Sequence, residues 1–87
     1  MQILWDERGW EEYLWWQSQD KKTLRKINAL IKDMQRFPYE GIGKPEQLSG
    51  NLSGWWSRRI DDDNRIVYKV MDGNLVIANC KSHYGDK

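Results

Sequence analysis

Between residues 21 and 36 the apolar side chains Leu24, Ile27, Ile31 and Met34 recur at intervals of three and four. That spacing is one stripe of a helix facing a core. Asp20 stands where an N-cap oxygen is needed, and Pro38 after Phe37 forbids continuation, so a helix is predicted over Lys21–Arg36. A helical stretch also precedes it. Asp6 can cap and Glu7 suits a first turn. Trp10, Tyr13, Leu14 and Trp16 or Gln17 fall on neighbouring turns, which predicts a helix from Glu7 to about Gln19. Gln2–Trp5 reads as a short strand ahead of it. The two helices should form a hairpin.

In the second half the pattern changes to period two. Strands are predicted over Trp55–Ile60, Arg65–Val70 and Leu75–Lys81. Asp61-Asp62-Asp63-Asn64 is a turn, and Asp72-Gly73 is a two-residue hairpin signal. Residues 37–54 carry Gly41, Gly43, Pro45, Gly50 and Gly54. Such a long loop in a compact domain is functional or disordered, and its well-patterned flanks favour function. The sum is an α+β fold: two N-terminal helices packed on one face of a mostly antiparallel, four- to five-stranded sheet. The 87 residues fit one domain over 1–87.

Register sharpens the picture. If Ile60, Ile66, Tyr68 and Val70 share the buried face, then Trp55, Ser57, Arg59, Arg65, Val67 and Lys69 share the other. Arg58 and Arg59 must point to opposite faces, so one of them lies on the more buried side or lines a site. Arg59 and Arg65 become neighbours across the hairpin. Two adjacent arginines need an anion or carboxylates between them, which means a phosphate site or salt bridges to Glu46 or the acidic turn.

Composition adds limits. The net charge of +1, from 14 basic and 13 acidic residues, does not announce a nucleic-acid binder. Basic residues do cluster, at Lys21, Lys22, Arg25 and Lys26 and at Arg58, Arg59 and Arg65. Clusters of this kind are either solvated faces or phosphate contacts. The six tryptophans, Trp5, Trp10, Trp15, Trp16, Trp55 and Trp56, are candidate core, with one or two left for a protein partner. Cys80 is the only cysteine, which excludes an internal disulfide and fits a cytoplasmic protein. No apolar run has the length of a membrane span, and the N-terminus lacks the pattern of a signal peptide.

The chain lacks the clustered His/Cys spacing of a zinc site, so no metal or other cofactor is expected. The three aspartates of residues 61–63 read as a solvated turn, and residues 41–44 lack the spacing of a phosphate-binding loop. Cys80 paired with His83 would offer cysteine hydrolysis by residue type, but its place on an apolar strand points to an inert buried thiol. Glu46, Arg59, Arg65, Lys81, His83 and Tyr84 remain. RNA brings its own nucleophile, the 2′-hydroxyl. Cleavage then needs a base, an acid for the leaving 5′-oxygen and cations for the phosphate charge. A carboxylate, an imidazole and arginines meet that list.

Four runs are specific. They are residues 41–46 (Gly-Ile-Gly-Lys-Pro-Glu), residues 51–60 (Asn-Leu-Ser-Gly-Trp-Trp-Ser-Arg-Arg-Ile), and Asn64-Arg65-Ile66-Val67-Tyr68 with the closing Ser82-His83-Tyr84. Together with the basic run 21–32, they resemble the YoeB toxins within the RelE-like family of bacterial toxin–antitoxin systems, over about residues 1–84. The resemblance implies a RelE-like fold and a ribosome-dependent endoribonuclease that cuts messenger RNA in the A site of the small subunit. It implies Glu46 as general base, His83 as general acid and Arg65 as stabiliser of the transition state. Lys44, Arg59 and Lys81 would hold phosphates, and Tyr84 would stack on or position a base. It also implies a YefM-like antitoxin partner, a homodimer, and contact with DNA only through the antitoxin. A catalytically silent ribosome-binding or antitoxin-bound co-repressor module is the alternative. Family members often end at the tyrosine, whereas this chain continues with Gly85-Asp86-Lys87. Strict alternation from the Asp72-Gly73 turn pairs Arg65 with Cys80 and puts His83 on the face opposite Arg65. A bulge or turn is therefore expected after Cys80.

Overall fold

The computed structural model describes residues 1–82. In chain order it contains β1 (Ile3–Trp5), α1 (Glu7–Gln17), α2 (Lys21–Arg36), β2 (Glu46–Gln47), a 3-10 turn (Gly50–Leu52), β3 (Trp56–Arg59), β4 (Arg65–Met71) and β5 (Asn74–Asn79). The strands form one sheet in the order β1-β5-β4-β3-β2. β1 runs parallel to β5, and every other pairing is antiparallel. Two helices packed on a five-stranded, mostly antiparallel sheet is the α+β arrangement expected from the pattern. The fifth strand, β2, lies inside the segment read as loop. Two exposed polar residues give no alternation to detect.

Helix α2 follows its sequence signals closely. Asp20 accepts hydrogen bonds from the Lys22 N–H (3.0 Å) and the Thr23 hydroxyl (2.6 Å), which caps the first turn. Ile27, Leu30, Ile31 and Met34 are buried against the sheet. Helix α1 departs from expectation. Its buried positions are Gly9 and Trp16, with Tyr13 packed beside them, while Trp10 and Leu14 are exposed. The reason is Gly9: a Cβ there would sit 2.9 Å from the Ile77 carbonyl oxygen, so the helix backbone lies directly on β5. A glycine carries no hydrophobic signal, so the true contact face is invisible to periodicity. The helix also ends at Gln17, two residues short of the expected Gln19.

The tryptophans make less core than their number suggests. Of the six, only Trp16 is buried, its indole N–H donating to the Cys80 carbonyl at 2.8 Å. Trp5 and Trp56 pack at the core margin. Trp10 and Trp15 are exposed. The core is instead aliphatic, built from α2 and from Ile66, Leu75 and Ile77, with Tyr68 and Ile60. Val70, expected on the buried face, is only half-buried.

Arg59 and Arg65 stand opposite each other across the β3–β4 hairpin, as the register predicts. The β4–β5 pairing begins as expected, with Val70 opposite Leu75, and then shifts. Tyr68 faces Ile77 but Val67 faces Asn79, which leaves Ala78 unpaired as a bulge. The chain thus departs from alternation already at Ala78, and it bends again after Cys80 as expected, through Lys81 and Ser82 with Ser82 at φ 60. Cys80 is not the partner of Arg65; the Arg65 N–H donates to the Ser82 carbonyl at 3.0 Å. The bulge places Asn79 on the Val67 face and turns Cys80 into the core. Burial pushes the Cys80 thiol up to about 12, consistent with an inert side chain. Among the described residues no helix is long and apolar enough to cross a membrane.

Candidate active site

The sheet face away from the helices carries a cleft of about 340 Å³ lined by Lys44, Pro45, Glu46, Ser57, Arg59 and Arg65. Three short structural facts assemble it. β2 pairs with β3 so that Glu46 stands opposite Ser57. β3 pairs with β4 so that Arg59 stands opposite Arg65. The Arg59 N–H donates to the Gly43 carbonyl at 2.7 Å, which draws the loop before Lys44 onto the strand. Lys44 itself has φ 51, a left-handed conformation that a lysine adopts only when its surroundings impose it.

Three cations and one carboxylate therefore share one concavity. Arg59 and Arg65 do not use the acidic turn as an ion-pair partner. The Arg65 guanidinium donates to backbone carbonyls of that turn, from Asp61 (2.6 Å), Asn64 (3.0 Å) and Asp62 (3.4 Å). All three bonds leave from Nη1 and anchor that edge of the guanidinium, and among the described residues no carboxylate pairs with it. Asp61 is itself occupied in the turn, accepting from the Asn64 and Asp63 N–H groups at 2.8 and 2.9 Å. Of the two readings left open by the sequence, salt bridges from these arginines to Glu46 or to the turn are absent among the described residues. Without such partners, the two guanidiniums and Lys44 have the charge and the free edges to accept an anion.

The sequence-derived candidates divide as follows. Lys44, Glu46, Arg59 and Arg65 line the one cleft. Lys81 does not line it; its ammonium lies 4.0 Å over the Trp15 ring, a cation–π contact at the end of α1. His83 and Tyr84 lie outside the described residues. The last described residue, Ser82, is bound to the strand beside the cleft, because its N–H donates to the Asn64 side chain at 2.6 Å and its carbonyl accepts from the Arg65 N–H. Ser57 and Pro45 also line the cleft without having been singled out from sequence. Ser57 could be placed on the Arg59 face by alternation, but its burial at the floor depends on the β2 pairing.

Known proteins resemble this chain over nearly its full length. Residues 5–84 match the family model of the YoeB-like toxin of bacterial type II toxin–antitoxin systems. The chain belongs to that family. Among its relatives, Toxin YoeB of Escherichia coli strain K12 is 55% identical over 84 residues, covering 97% of this chain and all of the relative. Among solved structures, a YoeB/ParE toxin from Agrobacterium tumefaciens superposes with a TM-score of 0.94 at 41% identity, covering 97% of this chain and 100% of that one. YoeB of Staphylococcus aureus, solved both as a dimer and in a heterotetrameric YoeB–YefM complex, gives a TM-score of 0.88 at 46% identity over 97% of this chain and 98% of the other. This chain is therefore a toxin of a toxin–antitoxin system with the RelE-like fold of its structural neighbours.

Proposed function

We propose that this toxin is a ribosome-dependent endoribonuclease that cuts messenger RNA in the A site by acid–base transesterification. The observation that carries the reading is the cleft itself. It holds one carboxylate, Glu46, among Lys44, Arg59 and Arg65. In the proposed reaction Glu46 takes the proton of the RNA 2′-hydroxyl, which attacks the adjacent phosphorus. Arg65 stabilises the charge that gathers on the phosphate oxygens, helped by Arg59 and Lys44. His83 gives a proton to the departing 5′-oxygen, and Tyr84 positions a base. The products are a 2′,3′-cyclic phosphate and a free 5′-hydroxyl. Support for His83 comes from the chain path, since Ser82 immediately before it is bonded to Arg65 and Asn64. A tight anion clamp with fixed donors also suits a reaction in which RNA supplies the nucleophile. Work on the ribosome makes the toxin a cytoplasmic protein.

The partners follow from the relatives. The S. aureus complex and dimer support a YefM-like antitoxin and a homodimer for this chain as well. The test is mapping of 5′ ends on a defined messenger in programmed ribosomes. Breaks within the A-site codon are expected, and Glu46→Ala and Arg65→Ala should each slow cleavage roughly 10²–10³-fold while remaining folded. Translation arrested on intact messenger would identify a silent ribosome-blocking module instead and end the catalytic reading.

A further inference from the structure

The buried cluster around Arg58 takes no part in the proposed bond-breaking, yet it is built with great economy. The Arg58 side chain is fully buried, and each of its five N–H groups has an acceptor. Nε donates to the Tyr68 hydroxyl (3.1 Å). Nη1 donates to Asp33 Oδ2 (2.6 Å) and the Ile42 carbonyl (3.1 Å). Nη2 donates to the Phe37 carbonyl (2.5 Å) and the Glu40 carbonyl (2.8 Å). The Tyr68 hydroxyl in turn donates to the Pro38 carbonyl (2.6 Å), and Asp33 Oδ2 also accepts from the Ile42 N–H (3.0 Å).

Four carbonyls and one N–H of residues 37–42 thus find their partners in side chains rooted on α2, β3 and β4. This segment belongs to no ladder, and its backbone polar groups need partners from somewhere. The fit is close. A Cβ on Gly41 would lie 2.0 Å from Asp33 Oδ2, and one on Gly43 would lie 2.6 Å from a Leu30 methyl. Immediately downstream come Lys44, Pro45 and Glu46, the last held opposite Ser57. Lys44 and Pro45 therefore span two fixed points: the Arg58 cluster on one side and the β2–β3 ladder on the other.

We propose that Arg58, with Asp33 and Tyr68, is the positioning group of the cleft. It holds the 37–43 segment so that Lys44 and Glu46 face Arg59 and Arg65. Its side chain lies on the opposite face of β3 from the cleft and touches no substrate. The proposal rests on the ribonuclease reading of that cleft. Positioning of this kind governs the rate of chemistry rather than ribosome affinity, because a reacting group displaced by about 1 Å costs on the order of 10²-fold.

Tyr68→Phe removes one hydroxyl and keeps the ring in the core. Arg58→Lys keeps the charge beside Asp33 and loses the planar fork. Circular dichroism at the assay temperature verifies that each variant is folded. Single-turnover cleavage is then measured on programmed ribosomes at increasing ribosome concentration. Tyr68→Phe should lower the maximal rate about 10-fold and Arg58→Lys about 100-fold, with the half-saturating ribosome concentration unchanged. A maximal rate that stays at the parent value in folded variants overturns the proposal. If Arg58→Lys does not fold, Tyr68→Phe alone decides. If the parent protein leaves messenger intact, the ribonuclease reading fails. The positioning role is then judged by the amide resonances of Gly41, Gly43 and Lys44, whose movement in Tyr68→Phe supports it and whose constancy overturns it.

Discussion

Arg58 and Arg59 are neighbours in sequence and identical in chemistry, yet the fold gives them opposite environments. Arg58 points into the helix-covered side, is 0% exposed, and spends every donor on Asp33, Tyr68 and three loop carbonyls. Arg59 points to the other face, is exposed, and lines a cleft with Arg65, Lys44 and Glu46. The contrast separates two uses of a guanidinium. Buried and saturated, it is a structural node whose charge is neutralised within the molecule. Exposed, and without a carboxylate partner among the described residues, it can still donate to an anion from outside. Alternation along one short strand is enough to assign both.

The sharpest way to break this comparison is to truncate each arginine in turn. Arg58→Met leaves Asp33 and the loop carbonyls without their donor and should destabilise the fold by about 3–5 kcal/mol. Arg59→Met should change stability by less than about 0.5 kcal/mol. Urea denaturation of the two variants measures the difference, and equal midpoints would erase the distinction. A smaller effect is expected from Gly41→Ala. It combines φ 124 with a Cβ driven against Asp33 Oδ2, and it should cost about 2 kcal/mol on the same denaturation curve.

The gentlest probe is pH. The hydrogen bond from Arg58 holds the Asp33 carboxyl below its ordinary 3.8. The unfolded chain therefore binds that proton more readily than the folded one. The stability contributed by Asp33 is complete above pH 3.8 and is lost as pH falls through the lower folded value. Urea midpoints of the parent and of Asp33→Asn should accordingly converge in acid. A gap that stays constant down to the acid limit would show that the Arg58 contact does not favour the ionised form.

Much of this arrangement was legible before the fold was known. The α2 stripe, its Asp20 cap and the Asp72-Gly73 turn are local signals, and each specifies its own geometry. The Arg59–Arg65 pairing also followed, because alternation and hairpin register suffice to place it. Four further things depended on tertiary contact. The contact face of α1 is set by Gly9, which has no side chain to register in a pattern. Strand β2 exists only because β3 is there to pair with it. The Arg58 cluster draws on Asp33 and Tyr68, respectively 25 and 10 residues away in sequence. The burial of tryptophans was overestimated because ring size is not location. Trp10 and Trp15 lie on the exposed side of α1, a helix whose close approach to the sheet needs a glycine instead.

The bulge at Ala78 has a consequence for reactivity. With unbroken alternation the chain's single cysteine would lie across from Arg65, on the open face. A thiolate beside a guanidinium is stabilised there, and the group becomes a nucleophile open to oxidants and alkylating reagents. One unpaired alanine instead turns the sulfur inward, 3.8 Å from the Gly9 carbonyl and shut away from solvent. The same alanine therefore keeps the thiol off the basic face that carries Arg59 and Arg65.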